Sequence, residues 1–135
     1  MGTIFRIADW FGIKKLICSL DSADVYNPKT VRSAMGAGFS LPLLFPASAE
    51  EALQALRSAG LRLMLADVQG RPYDEVSLQE PLALVLGAEA DGASPFWREI
   101  CEEILEIPMP GGAESLNVAA AAGILLYEVL RQRKL

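Results

Sequence analysis

The stretch Ile104–Leu135, ILEIPMPGGAESLNVAAAAGILLYEVLRQRKL, decides how this chain folds. It reads as a short strand, a glycine-rich loop and a helix. Ser115 is the expected N-cap, and Leu116 to Tyr127 contains one polar residue, Asn117, at its very start. A surface helix carries one apolar stripe, whereas this one is apolar all round until Glu128. Ala119, Ala120, Ala121, Ala122 and Gly123 make its middle slim, so neighbouring backbone can approach closely. A helix this dry is expected to be buried, and it is too short to cross a bilayer, which takes about 20 apolar residues. The loop ahead of it places Gly111, Gly112, Glu114, Ser115 and Asn117 where the helix opens. Those polar groups are either a demanding cap or a site.

Outward from there the chain alternates strands and short helices. TIFRIADWFG is helix-like, with Ile4, Ile7, Ala8 and Phe11 on one side and Gly12 as terminator. IKKLICSL (13–20) is a predicted strand, and Asn27-Pro28 opens a short helix ending near Gly36 or Gly38. LPLLFP (41–46) is a short strand. SAEEALQALRSAG pairs Ser48 with Glu51 at capping-box spacing, turns Leu53 and Leu56 inward and stops at Gly60. LRLMLADV (61–68) is a strand, and Gly70 to Glu80 reads as a polar loop around Arg71-Pro72. PLALVLGAE is a near-continuous apolar run, the mark of a strand covered on both faces. Ser94-Pro95 caps a helix to about Glu102, and EILEIPM is another strand. This order implies an α/β fold, a mostly parallel sheet with helices on both faces, in a single domain.

With 135 residues, 52% hydrophobic and 21% charged, the chain can bury a real core, and disorder is excluded. The net charge of −5 is unlike that of a small protein living on non-specific nucleic-acid binding. Its distribution is uneven: residues 1–40 carry five basic and three acidic groups, residues 41–135 seven and fourteen. If the chain meets RNA, contact is expected through the N-terminal third or with help from a partner. Cys18 and Cys101 lie in apolar runs and there is no histidine, so no Cys/His metal site is expected; two buried thiols fit a reducing, cytoplasmic setting. No membrane segment is visible.

In such sheets ligands bind in loops beyond the carboxyl ends of strands. Here those are GAEADGAS (87–94) and PGGAES (110–115). Neither has the glycine pattern of a dinucleotide fold nor the lysine and hydroxyl of a P-loop.

IPMPGGAESLNVAAAAGILLYE closely resembles the last signature of the SpoU-type RNA 2′-O-ribose methyltransferases, a branch of the trefoil-knotted methyltransferases. LVLGAEADGAS resembles their middle signature and GTIFRIADWFG the first, in matching order and spacing, and VYNPKTVRSAMGA is similar to the family's intervening segment. The resemblance covers essentially the whole chain. It implies a deep C-terminal trefoil knot with S-adenosylmethionine bound bent inside it. Carried over, it places Leu86, Gly87, Glu89, Ile107, Met109, Ser115 and Leu116 around the cofactor, and Arg6, Glu89, Ser115 and Asn117 in catalysis. It also implies a homodimer built on residues 116–129, Leu125 and Val129 included, and a structured RNA substrate, tRNA or rRNA.

A ribose hydroxyl is a poor nucleophile, so charge developing on its oxygen needs stabilising. Arginine is not a resting-state base, its pKa exceeding about 12. Arg6 is therefore expected to act as a donor fork on the ribose oxygen or the adjacent phosphate, with Glu89 orienting it or fixing its loop. Ser115 and Asn117 are expected to hold substrate, cap the helix, or both. The chain departs from the family where Gly87-Ala88-Glu89-Ala90 replaces the usual Gly-Asn-Glu-Gly and Ile7 replaces a threonine. The first signature would begin with an asparagine before Met1, so the expectation is a catalytic domain lacking its first strand and any N-terminal substrate-binding domain. The alternatives are an inactive knotted cofactor-binding or dimerisation module left by truncation, and an unrelated flavodoxin-like module with a one-striped last helix.

Overall fold

The computed structural model describes residues 2–17, 43–44, 46, 48–87, 95–112 and 116–133. The helix expected after Asn27, most of the 87–94 loop, Cys18, Glu89 and Ser115 lie outside them. The chain divides into two compact units, Met1–Gln54 and Ala55–Leu135.

In the first unit, α1 (Gly2–Trp10) buries Phe5 and Ala8, while Ile4, Ile7 and Phe11 are half-buried. The buried face is thus turned by about one residue from the expected stripe. Five apolar residues spread over a wide arc, and packing, not periodicity, selects its centre. Gly12 sits at φ +71°, its N–H donating to the Asp9 carbonyl while Ile13 N–H reaches Ala8, so the left-handed residue closes the last turn. β1 (Leu16–Ile17) and β2 (Leu43–Leu44) pair in parallel, Leu16 opposite Leu43. α2 (Ala49–Ser58), which begins in the first unit and ends in the second, opens as expected: Ser48 Oγ accepts the Glu51 N–H at 3.1 Å, with Glu50 and Glu51 in the first turn and Arg57 in the last, complementing the helix dipole. Gly60, at φ +73°, ends it as Gly12 ends α1.

In the second unit, β3 (Arg62–Pro72) lies between β4 (Leu82–Leu86) and β5 (Glu103–Glu106), both parallel to it. Every strand pairing among the described residues is parallel, as the alternation of elements implied. Leu63, Met64 and Leu65 are fully buried in succession, so β3 is the strand dry on both faces. β4, expected in that role, is half-buried throughout because it flanks the centre. α3 (Pro95–Ile100) precedes β5. Beside it the Cys101 thiol is pushed up to about 11 by burial and then by Glu102, which keeps it protonated and inert.

The core joins Met64, Val76, Leu78, Leu105 and Leu125, with Tyr73, Leu82, Leu84, Ile107 and Val129 packed against it. Two of these buried residues come from the segment read as a polar loop: after a 3-10 turn at Tyr73–Glu75, Val76 and Leu78 point inward. α4 (Val118–Arg133) buries Ala122, Leu125 and Glu128. Within this chain it therefore has one buried stripe, and Ile124, Tyr127 and Leu130 on another face remain exposed. Leu125, expected at an interface, belongs to the chain's own core.

The end of α4 is tied to residues 76–80 by side chains. Gln132 accepts the Leu78 N–H at 2.7 Å and donates to the Val76 carbonyl at 3.0 Å and to Glu128 at 2.9 Å. Arg133 donates to the carbonyls of Leu78 and Glu80, and Gln79 donates back to the Gln132 carbonyl. Glu128, only 5% exposed, takes a two-bond fork from Arg131 at 2.8 and 2.7 Å. A buried carboxylate is tolerated because it is fully partnered.

Candidate active site

Parallel register brings three strand ends together. Ala66 of β3 faces Leu86 of β4 on one side and Leu105 of β5 on the other. At the usual 4.7–4.9 Å per strand, Leu86 and Leu105 stand about 10 Å apart with Ala66 between them. Gly87 and Ile107 thus leave the sheet at the same edge, the carboxyl edge where α/β sheets bind ligands. Beyond it, Met109 is 51% and Leu116 49% exposed, apolar side chains held in the loop leading to α4.

Between Ala66 and Arg71 the β3–β5 register shifts, both residues standing opposite Leu105. Asp67–Gly70 therefore bulges out at this same edge. Gly70 is required: a Cβ there would lie 2.3 Å from the Ile104 carbonyl oxygen. Its N–H donates to Glu106 Oε1 at 3.1 Å. Asp67 accepts the Val68 N–H at 2.6 Å and pairs with Arg98 of α3 at 2.5 Å, pinning the bulge to the helix that follows the 87–94 loop. Sequence reading missed this bulge. The signal was present, an isolated glycine two residues after an apolar strand run.

α4 begins at Val118, later than expected, and its cap is Asn117 rather than Ser115. Asn117 Oδ1 accepts the N–H groups of Ala119 and Ala120 at 2.9 and 3.2 Å, and its carbonyl accepts that of Ala121. The helix start is thereby satisfied from within the chain, which disfavours a phosphate there. A cofactor without phosphate, with an aromatic base and an aliphatic chain to cover, suits an edge offering Gly87, half-buried Ile107 and half-exposed Met109 and Leu116.

Of the other residues singled out from sequence, Arg6 is exposed on α1 in the first unit, and Glu89 and Ser115 lie outside the described residues. Leu86, Gly87 and Ile107 stand at the carboxyl edge of the sheet, and Met109, Leu116 and Asn117 lie along the chain between β5 and α4.

The model of the SpoU rRNA methylase family matches residues 1–127. The chain belongs to that family. A 23S rRNA (uridine(2479)-2′-O)-methyltransferase of Streptomyces viridochromogenes is 40% identical over 139 residues, covering 98% of this chain and 48% of the relative. The SpoU methyltransferase AviRb from the same organism, solved in complex with AdoMet, superposes with a TM-score of 0.89 at 41% identity, over 97% of this chain and 54% of that one. The A. aeolicus TrmH/SpoU tRNA modifying enzyme gives a TM-score of 0.83 at 29% identity, over 97% of this chain and 67% of that one. The chain spans about half the length of the curated relatives it matches. The SpoU fold is thereby established for these residues, and the knot expected from the resemblance is the fold of its structural neighbours.

Proposed function

We propose that this SpoU-family chain transfers a methyl group from S-adenosylmethionine to a ribose 2′-hydroxyl of ribosomal or transfer RNA. The observation carrying the proposal is the family match over residues 1–127, and the gathered strand ends with a helix capped from within support it. When bound, S-adenosylmethionine supplies an electrophilic methyl on a sulfonium. The protein's part is to hold that methyl in line with the ribose oxygen. Leu86, Gly87, Glu89, Ile107, Met109, Ser115 and Leu116 hold the donor. Arg6, exposed on α1, donates to the ribose oxygen or its phosphate while the O–CH3 bond forms, the S–CH3 bond breaks to leave the neutral thioether, and the hydroxyl proton passes to solvent water. Glu89 either orients Arg6 or fixes the loop that carries it. Ser115 and Asn117 position substrate, Asn117 while capping α4.

The chain works as a homodimer in the cytoplasm. Ile124, Tyr127 and Leu130, three residues apart on one face of α4, are the apolar side chains available for the partner. Ile124 and Tyr127 also line a groove with Tyr73, Asp74, Gly123, Glu128 and Arg131. Among the described residues no helix is long and apolar enough to cross a membrane.

The test is titration calorimetry with S-adenosylmethionine, its demethylated product and ATP, alongside tritiated methyl transfer to ribosomal and transfer RNA. Binding of either of the first two and not ATP is expected. Arg6→Ala is expected to cut transfer by roughly 100-fold or more while leaving donor affinity within about twofold. Binding of ATP alone, or no labelled ribose on either RNA, overturns the reading.

A further inference from the structure

Trp10 is the most exposed large apolar side chain among the described residues, at 83%. Tryptophan is highly buried on average, and an indole left in water marks a surface that something else covers. Its neighbours say what. Arg6 lies one helical turn back on α1, also exposed, and Lys14 and Lys15 follow the Gly12 turn, both exposed. Asp9 is the only exposed acid from Thr3 to Lys15. A flat aromatic ring among three cations and one anion is the composition of a single-stranded nucleic-acid surface: cations follow the phosphates and the ring takes a base. The rest of the chain is acidic in sequence, residues 41–135 carrying seven basic and fourteen acidic groups, so the basic segment 6–15 is the stretch suited to a polyanion.

We infer that Trp10 is a stacking platform for an unpaired RNA base, with Arg6, Lys14 and Lys15 steering the strand onto it. The inference rests on the RNA-directed function proposed above and names the residue that selects for an unpaired nucleotide. Stacking tolerates any base but needs one free of its duplex, because every base has a π-face and a paired base keeps it covered.

The chain has two tryptophans, and Trp97 is half-buried with its ring edge-on to Phe96 at 5.2 Å, so Trp97→Phe leaves Trp10 as sole reporter. In that background, fluorescence is titrated with a 12-residue oligoadenylate and with inorganic polyphosphate, which has charge but no bases. Oligoadenylate is expected to quench Trp10 saturably, and polyphosphate to bind without quenching. Trp10→Ala, followed by anisotropy of end-labelled RNA, should weaken oligoadenylate by about 5- to 150-fold. Trp10→Phe should stay within about fivefold of the parent, and polyphosphate affinity should move less than about twofold with either. Lys15→Gln should instead lower the slope of log affinity against log salt by about 0.7, the share of one phosphate contact. Unchanged oligoadenylate affinity in Trp10→Ala overturns the proposal. So does an equal loss for both probes, or a change of sedimentation coefficient showing that Trp10 belongs to a subunit contact. S-adenosylmethionine calorimetry on the same protein separates the two readings. Donor binding without a base-dependent Trp10 effect removes the platform and leaves the methyltransferase. A base-dependent effect without donor binding or transfer does the reverse.

Discussion

The two ends of α4 are built on opposite plans. At its start one side chain, Asn117, caps two N–H groups, and the loop before it leaves Met109 and Leu116 half in water. At its finish Glu128, Arg131, Gln132 and Arg133 are linked to one another and to residues 76–80. Leu116 and Asn117 are exposed at the start, and the buried stripe of Ala122, Leu125 and Glu128 begins further along the helix. One helix is thus fastened in two ways. The end beside the proposed donor site is fastened lightly and locally, and the other end is fastened to a distant segment of the chain.

Removing the distant fastening should have the largest effect. Gln132→Ala leaves a buried N–H at Leu78 and a carbonyl at Val76 without their partner, each worth about 1–3 kcal/mol. A loss of roughly 2–4 kcal/mol in urea unfolding is expected, with donor affinity at permissive temperature unchanged. A loss below about 0.5 kcal/mol would mean water replaces the side chain freely.

Next comes the bulge at the carboxyl edge of the sheet. Gly70→Ala forces a methyl against the Ile104 backbone and should cost about 1–3 kcal/mol, as overpacking does. Because the bulge lies at the sheet edge proposed to hold the donor, donor affinity should fall together with stability, unlike in the Gln132 variant. Calorimetry and thermal melting on the same two proteins sharpen or erase that distinction.

Asn117→Ala should be milder in stability, about 1 kcal/mol for a lost N-cap. Asn117→Ser keeps a capping oxygen and should recover most of that. If Asn117 also positions substrate, the serine variant melts like the parent yet transfers methyl groups more slowly; equal rates would reduce it to a cap.

The smallest effect is one of pH. Hydrogen bonds from Arg131, opposed by burial and aided by Gln132, hold the Glu128 carboxyl below its ordinary value of 4.5. A carboxyl depressed in the folded state stabilises it above the unfolded pKa, and that contribution fades as pH falls through 4.5 toward the folded value. The difference in melting temperature between parent and Glu128→Gln should therefore be steady from pH 7 to about 5.5 and shrink below 4.5. A difference that widens on acidification would contradict the sign.

Much of this was legible in the sequence, for physical reasons that also mark where reading stopped. Apolar runs such as Leu82–Leu86 announce strands, and Gly12 and Gly60 announce helix ends because φ near +70° suits no other residue as well. The cap was misplaced because Ser115 and Asn117 are both good capping residues two positions apart. The buried stripe of α4 carried no periodic signal, since alanines and leucines on every side leave rotation to tertiary packing. Val76 and Leu78 were hidden as two apolar residues in a polar segment without period, and the Asp67–Gly70 bulge exists only in the pairing of β3 with β5. At the site, the strand ends followed from parallel order alone. The placing of Leu86, Ile107 and Asn117 came from the resemblance, as did the roles given to Arg6, Glu89 and Ser115. Trp10 was visible as a letter, but its exposure was not.

The Gln132 amide has one more consequence. A side-chain carboxamide offers one acceptor and one donor in the same plane, as a peptide unit does. By taking the Leu78 N–H and the Val76 carbonyl, it occupies the positions a neighbouring strand would occupy, and Arg133 on the Leu78 carbonyl extends the imitation by one rung. Val76 is extended, at φ −111° and ψ 137°, so this stretch would otherwise present a bare edge beside an apolar core. Two side chains thus act as a counterfeit β-strand. They close an edge that another molecule could add to, and they do so without lengthening the sheet.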